Sequence, residues 1–114
     1  MSLMPPGAIK DHRRMKRRPA KHSIAVICRK GTLGLGPNLA IKLRDISVDG
    51  AQLFVKSSLN LGDDVELTFS AQGFPDPLVC EATVMWCSSI EGNGYRIGVK
   101  FADSLDYEDV YHMT

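Results

Sequence analysis

The stretch Leu39-Ala40-Ile41-Lys42-Leu43-Arg44-Asp45-Ile46-Ser47-Val48-Asp49-Gly50-Ala51-Gln52-Leu53-Phe54-Val55 decides the fold. Leu39, Ile41 and Leu43 alternate with Ala40, Lys42 and Arg44, and a period of two resumes at Ala51, Leu53 and Val55. Such alternation marks strands with one face in the core and one in water. The hexapeptide Asp45 to Gly50 sits at the end of the first strand, with Asp45 and Ser47 on one side and Ile46 and Val48 on the other. Gly50 is expected to permit a sharp turn at positive φ.

The same period extends outward in both directions. It appears at Ile24, Val26 and Cys28, at Val65, Leu67 and Phe69, at Leu78, Cys80, Ala82, Val84 and Trp86, and at Tyr95, Ile97, Val99 and Phe101. Turn-forming clusters separate these runs: Gly31 to Pro37, Leu61 to Asp64, Gln72 to Pro75 and Glu91 to Gly94. Six strands joined by short connections, with no helical period between them, imply an all-β fold. The sheet is antiparallel and must close on itself to bury its apolar face, so a six-stranded β-barrel is expected. Asp103 to His112 is acidic and is expected to begin a short C-terminal helix, with Leu105, Val110 or Tyr111 packed on the barrel.

The chain has 114 residues with 44% hydrophobic content, enough for one core and too little for a second domain. Its net charge of +1 conceals an asymmetry. Lys10, Arg13, Arg14, Lys16, Arg17, Arg18 and Lys21 face a single acid, Asp11, so this segment is near +6 and the remainder near −5. Pro5, Pro6 and Pro19 and the absence of apolar periodicity mark residues 1–21 as a flexible basic arm, with the barrel domain at 22–114. A basic arm on a mildly acidic body points to one localised anion site, and nucleic acid coating is disfavoured. No apolar run approaches the roughly 20 residues of a membrane span. Three cysteines without a C-x-x-C pair favour neither a disulfide framework nor zinc and fit a reducing cytoplasm.

Arg13 with Arg17, and Arg14 with Arg18, form two overlapping R-x-x-x-R spacings. A guanidinium donates two parallel hydrogen bonds to phosphate or to the O6 and N7 edge of guanine, and its plane stacks on bases. On charge alone, however, such a run reads first as a solvated tail. Asp45 is suited to accept from guanine N1 and N2, and Ser47 to donate or accept. Unaided, a plain hairpin turn at Asp49-Gly50 is the better reading of that hexapeptide. Trp86 is expected in the core. His12, His22 and His112 form no metal-ligand spacing. Ser47 lacks a G-x-S-x-G elbow, and Gly31 to Gly36 lacks the Walker pattern.

Taken together, the R-x-x-x-R arm before a strand and D-x-S-x-x-G about thirty residues later resemble the PilZ domain family. Glu81 to Trp86 followed by Gly94 to Phe101 looks like that family's closing pair of strands, and Leu61 to Val65 like its central turn. The resemblance runs from about Arg13 to Phe101. It implies a six-stranded barrel that binds the bacterial second messenger cyclic di-GMP without catalysing a reaction and without a cofactor. By the same resemblance, Arg13, Arg14, Arg17 and Arg18 grip phosphates and guanine edges, while Asp45, Ser47 and the backbone around Gly50 hold a guanine. Pro19 favours the Arg13–Arg17 register, whereas the adjacent Arg13-Arg14 pair fits Arg14–Arg18. The residue before the motif bears on whether one ligand or a stacked pair binds, which leaves stoichiometry open. The leading expectation is a receptor whose arm orders on binding and signals to an unidentified downstream protein. The rivals are a nucleotide-independent adaptor in pilus or flagellar control and an oligonucleotide-binding barrel. The adaptor is disfavoured by the intact motifs, and the oligonucleotide barrel by the want of an exposed aromatic platform.

Overall fold

A computed structural model describes residues 17–21, 23–71, 74–92 and 94–114. Each of the six alternating runs forms a strand: β2 (Ala25–Lys30), β3 (Ala40–Ile46), β4 (Gly50–Val55), β5 (Asp64–Ser70), β6 (Leu78–Ser89) and β7 (Tyr95–Phe101). A seventh, β1, consists of Arg18–Pro19 alone, and α1 covers Tyr107–Met113. All pairings are antiparallel, in the order β1-β3-β4-β7-β6-β5-β2. The sheet curls into a half-barrel. β2 and the start of β3 come together at Asn38, whose Oδ1 accepts from the backbone N–H of Cys28 (3.0 Å) and of Ala40 (2.9 Å), while Leu39 N–H donates to Cys28 O at 2.7 Å.

The extra strand comes from the basic arm. Arg18 pairs with Ile46 and Pro19 with Asp45, so the last residues of the arm run along the edge of the sheet. Proline has no N–H to give and is at home on such an edge. Ala20 N–H still reaches Arg44 O at 3.1 Å, and Lys21 N–H reaches Met113 O at 2.8 Å.

The concave face carries the core: Phe69, Leu67 and Val65 from β5, Leu53 and Val55 from β4, Ile97 from β7, Val84 from β6, Ile46 from β3 and Cys28 from β2. The helix closes one end with Val110 and Met113, which lie three residues apart and so share a face. Leu105 packs at the margin. Tyr111, an alternative candidate for that contact, is 65% exposed because it lies about a quarter-turn round the helix from Val110.

Three single-residue bulges alter what simple alternation predicts. In β3 the register skips Ile41, between the pairs Ala40–Val55 and Lys42–Phe54, and skips Arg44, between Leu43–Leu53 and Asp45–Gln52. Inward residues on β3 are therefore Ala40, Leu43 and Ile46, every third position. Ile41, expected on the core side, is 53% exposed. In β6 the register skips Met85, so Val84 opposes Val99 but Trp86 opposes Gly98 and Cys87 opposes Ile97. The bulge reverses the facing of the strand beyond it. Trp86, expected in the core, consequently lies on the outer face, and Cys87 turns toward the core.

Cys28, Cys80 and Cys87 are unpaired thiols. Burial pushes the Cys28 thiol up to about 11, and burial followed by the Glu66 carboxylate pushes Cys80 up to about 12, from an ordinary value of 9.0. A raised thiol pKa means that the unfolded chain releases its proton first. The Cys28 contribution is thus undiminished below pH 9 and is lost as pH rises from 9 toward 11. Wild type should lose about 2 kcal/mol more than Cys28→Ala between pH 8 and pH 11 in urea unfolding. Parallel losses would show that the thiol ionises as readily in the folded state.

Candidate ligand site on the outer face

Cross-strand partners share a face of the sheet, so the register places one row of side chains across four strands. Asp45 opposes Gln52, Gln52 opposes Gly98, and Gly98 opposes Trp86, with Pro19 at the arm end beside Asp45. At about 4.8 Å per strand, the backbones of β3 and β6 are about 14 Å apart along this row.

Asp45 is the row's anchor. It is 9% exposed, unusually buried for a carboxylate. The bulge at Arg44 brings two successive side chains to the same face, and Arg44 Nη1 donates to Asp45 Oδ2 at 2.8 Å and to Gln52 Oε1 at 3.1 Å. Asp45 Oδ1 is buried with no hydrogen-bond donor among the described residues, and Arg17 Nε stands 3.9 Å away. A buried acceptor left unpaired costs about 1–3 kcal/mol, which an incoming donor would recover. Arg17, Pro19, Arg44 and Asp45 line a recess of about 260 Å³. A neighbouring cavity of about 350 Å³ shares Pro19 and Arg44 and adds Lys21, Lys42 and Phe54.

Ser47 and Gly50 have different surroundings. Ser47 Oγ accepts from the N–H groups of Asp49 and Gly50, each at 3.2 Å, and donates to Gly50 O at 3.3 Å. Its hydroxyl is spent on the turn between β3 and β4. Gly50 does not adopt the positive φ expected of it. It opens β4 opposite Lys100, and a Cβ there would lie 2.3 Å from Val99 O. Close approach of β7, and not left-handed backbone, is what excludes a side chain. Asp49 Oδ1 accepts from Ser104 Oγ at 2.8 Å, tying the turn to the segment after β7.

At the far end of the row, Trp86 lies over Gly98, where a Cβ would come within 2.2 Å of the indole Nε1. The Arg96 guanidinium carbon stands 5.4 Å from the ring centroid, within the range of a cation–π contact. Arg96 Nε is buried without a hydrogen-bond partner among the described residues. This aromatic surface and Arg44 escape sequence reasoning because both depend on bulges. The one visible signal is that Gly98 interrupts an otherwise bulky strand.

Of the seven residues expected at the site, Asp45, Ser47 and Gly50 are together at the β3–β4 turn. Arg17 reaches Asp45 directly, and Arg18 is exposed at the edge of the sheet. Arg13 and Arg14 lie outside the described residues. A family model for the PilZ domain matches residues 11–112. The chain belongs to the PilZ domain family. Neither the curated proteins nor the solved structures include a significant match. PilZ domains are known for cyclic di-GMP binding and are generally non-catalytic receptors. Among the described residues, no helix of this PilZ domain is long and apolar enough to cross a membrane.

Proposed function

We propose that this PilZ domain is a non-catalytic receptor for cyclic di-GMP, with Asp45 receiving a guanine and the arginine arm receiving phosphates. The observation that carries the reading is the buried Asp45 carboxylate, whose Oδ1 has no hydrogen-bond donor among the described residues and lies 3.9 Å from Arg17 Nε of the arm. Guanine offers two adjacent N–H donors on one edge, which suits a carboxylate held at a fixed angle. Arg17 is the described arm arginine that reaches Asp45, which favours the Arg13–Arg17 register over Arg14–Arg18. Trp86, at the far end of the same row, and Arg96, stacked against its ring from two residues along β7, supply a flat surface suited to the face of a second ring. Ser47 and Gly50 contribute by shaping the turn that holds Asp45.

Ligand binding would neutralise the arm and draw it over the outer face, presenting a new surface to a downstream protein in the cytoplasm. The test is calorimetric titration together with thermal unfolding. Cyclic di-GMP should release heat at a saturable site. At about a hundredfold excess over Kd it should stabilise the fold by about 2.7 kcal/mol. Neither heat nor a rise in Tm at millimolar ligand would overturn the reading. RNA or DNA binding with a steep salt dependence in place of that response would favour the oligonucleotide barrel.

A further inference from the structure

We infer that Arg44, a residue outside both motifs, is a positioning residue that aims the Asp45 carboxylate and thereby sets base preference; this rests on the cyclic di-GMP reading above. In a regular strand, neighbouring side chains point to opposite faces, so Arg44 and Asp45 would not meet. The bulge between Leu43 and Asp45 places them together on the outer face. There, Arg44 Nη1 bridges Asp45 Oδ2 and Gln52 Oε1. Gln52 belongs to β4, directly opposite Asp45, so the bridge ties the carboxylate to the neighbouring strand as well as to its own. One carboxylate oxygen is thereby held and the plane of the group fixed. Oδ1 is left as the acceptor without a hydrogen bond among the described residues.

A carboxylate held in this way reads a base edge by angle. Donors in the position of guanine N1 and N2 are matched together, one by Oδ1 and one by the lone pair that Arg44 leaves on Oδ2, whereas a ring lacking the 2-amino group satisfies only part of the pattern. Without Arg44 the carboxylate can rotate, and a rotating acceptor pairs with many edges about equally well. Arg44 is 45% exposed, so truncating it leaves no cavity, and the stability lost is that of the Asp45 Oδ2 hydrogen bond it supplies.

The experiment compares Kd for cyclic di-GMP and for cyclic di-IMP, which lacks the exocyclic amino groups, in wild type, Arg44→Ala, Arg44→Lys, Asp45→Ala and the Arg44→Ala/Asp45→Ala double variant. Wild type should prefer cyclic di-GMP. Arg44→Ala should weaken its binding about tenfold, narrow the preference and lower Tm by a few degrees without unfolding the protein, while Arg44→Lys restores part of the preference. On the Asp45→Ala background, the loss of Arg44 should have no further effect. Equal weakening for both ligands, persisting when Asp45 is absent, would overturn the inference by showing that Arg44 grips phosphate directly. An Arg44→Ala protein with unchanged affinity and preference would overturn it too, leaving the receptor reading intact. If wild type binds neither ligand, the receptor reading itself falls and takes this inference with it.

Discussion

Asp45→Ala is expected to weaken cyclic di-GMP binding about a hundredfold while leaving Tm within about 3 °C of wild type. The large effect is the loss of charge-assisted hydrogen bonds to the base. Each is worth about 1.5–3 kcal/mol, and about 2.7 kcal/mol corresponds to a hundredfold in Kd. The small effect is structural. Asp45 pairs with Arg44, whose side chain is 45% exposed and rehydrates when released. Removal of Asp45 also removes the unpartnered Oδ1, offsetting part of what the lost pair contributed. Calorimetry for Kd and thermal unfolding for Tm separate the two effects. Undiminished binding would mean that the ligand does not use this carboxylate, and a collapse in Tm would mean that its role is to hold the fold.

Gly50→Ala is expected to behave in the opposite way, lowering stability by about 3 kcal/mol and Tm by more than about 10 °C. The added methyl group would sit 2.3 Å from the Val99 carbonyl oxygen, a backbone atom that no side-chain rotation can move aside. β4 would have to pull away from β7 at its first residue. That shift would strain the Ser47 N–H to Gly50 O bond at 2.8 Å and the Phe101 N–H to Asp49 O bond at 2.8 Å. Against a total stability of about 5–15 kcal/mol for a small domain, such a loss is substantial. Urea unfolding gives the number directly. A Gly50→Ala protein with wild-type stability and no ligand binding would show instead that the glycine is kept for contact with the nucleotide.

Within one hexapeptide, then, the roles diverge: Asp45 is the proposed recognition group, Ser47 ties the turn and Gly50 lets two strands touch. The motif pointed to this region from sequence because its spacing is local. The division of labour was not legible, since it depends on β7, which lies about fifty residues further on. The six long strands were visible because alternation is set by each strand's own burial. β1 was not visible: Arg18-Pro19 carries no apolar period and exists only as an edge pairing with β3. Bulges put both Ile41 and Trp86 on a face that alternation does not predict: Ile41 is itself the unpaired residue of one, and Trp86 lies just beyond another. An extra residue leaves the apolar content of a strand unchanged while reversing the facing of the residues beyond it. Asp49-Gly50 reads as a left-handed turn on residue type alone, whereas crowding from Val99 supplies another reason for a glycine.

The bulge at Met85 is a phase shift of one residue inside β6, and it is what lets Val84 and Trp86, two positions apart, face opposite ways. Loss of that single codon would bring Trp86 directly after Val84 and remove the bulge, leaving the indole opposite Gly98 on the outer face and Cys87 opposite Ile97 toward the core. A relative lacking one residue at this point would therefore keep the same faces as this chain, and simple alternation would read it correctly where it misreads this one.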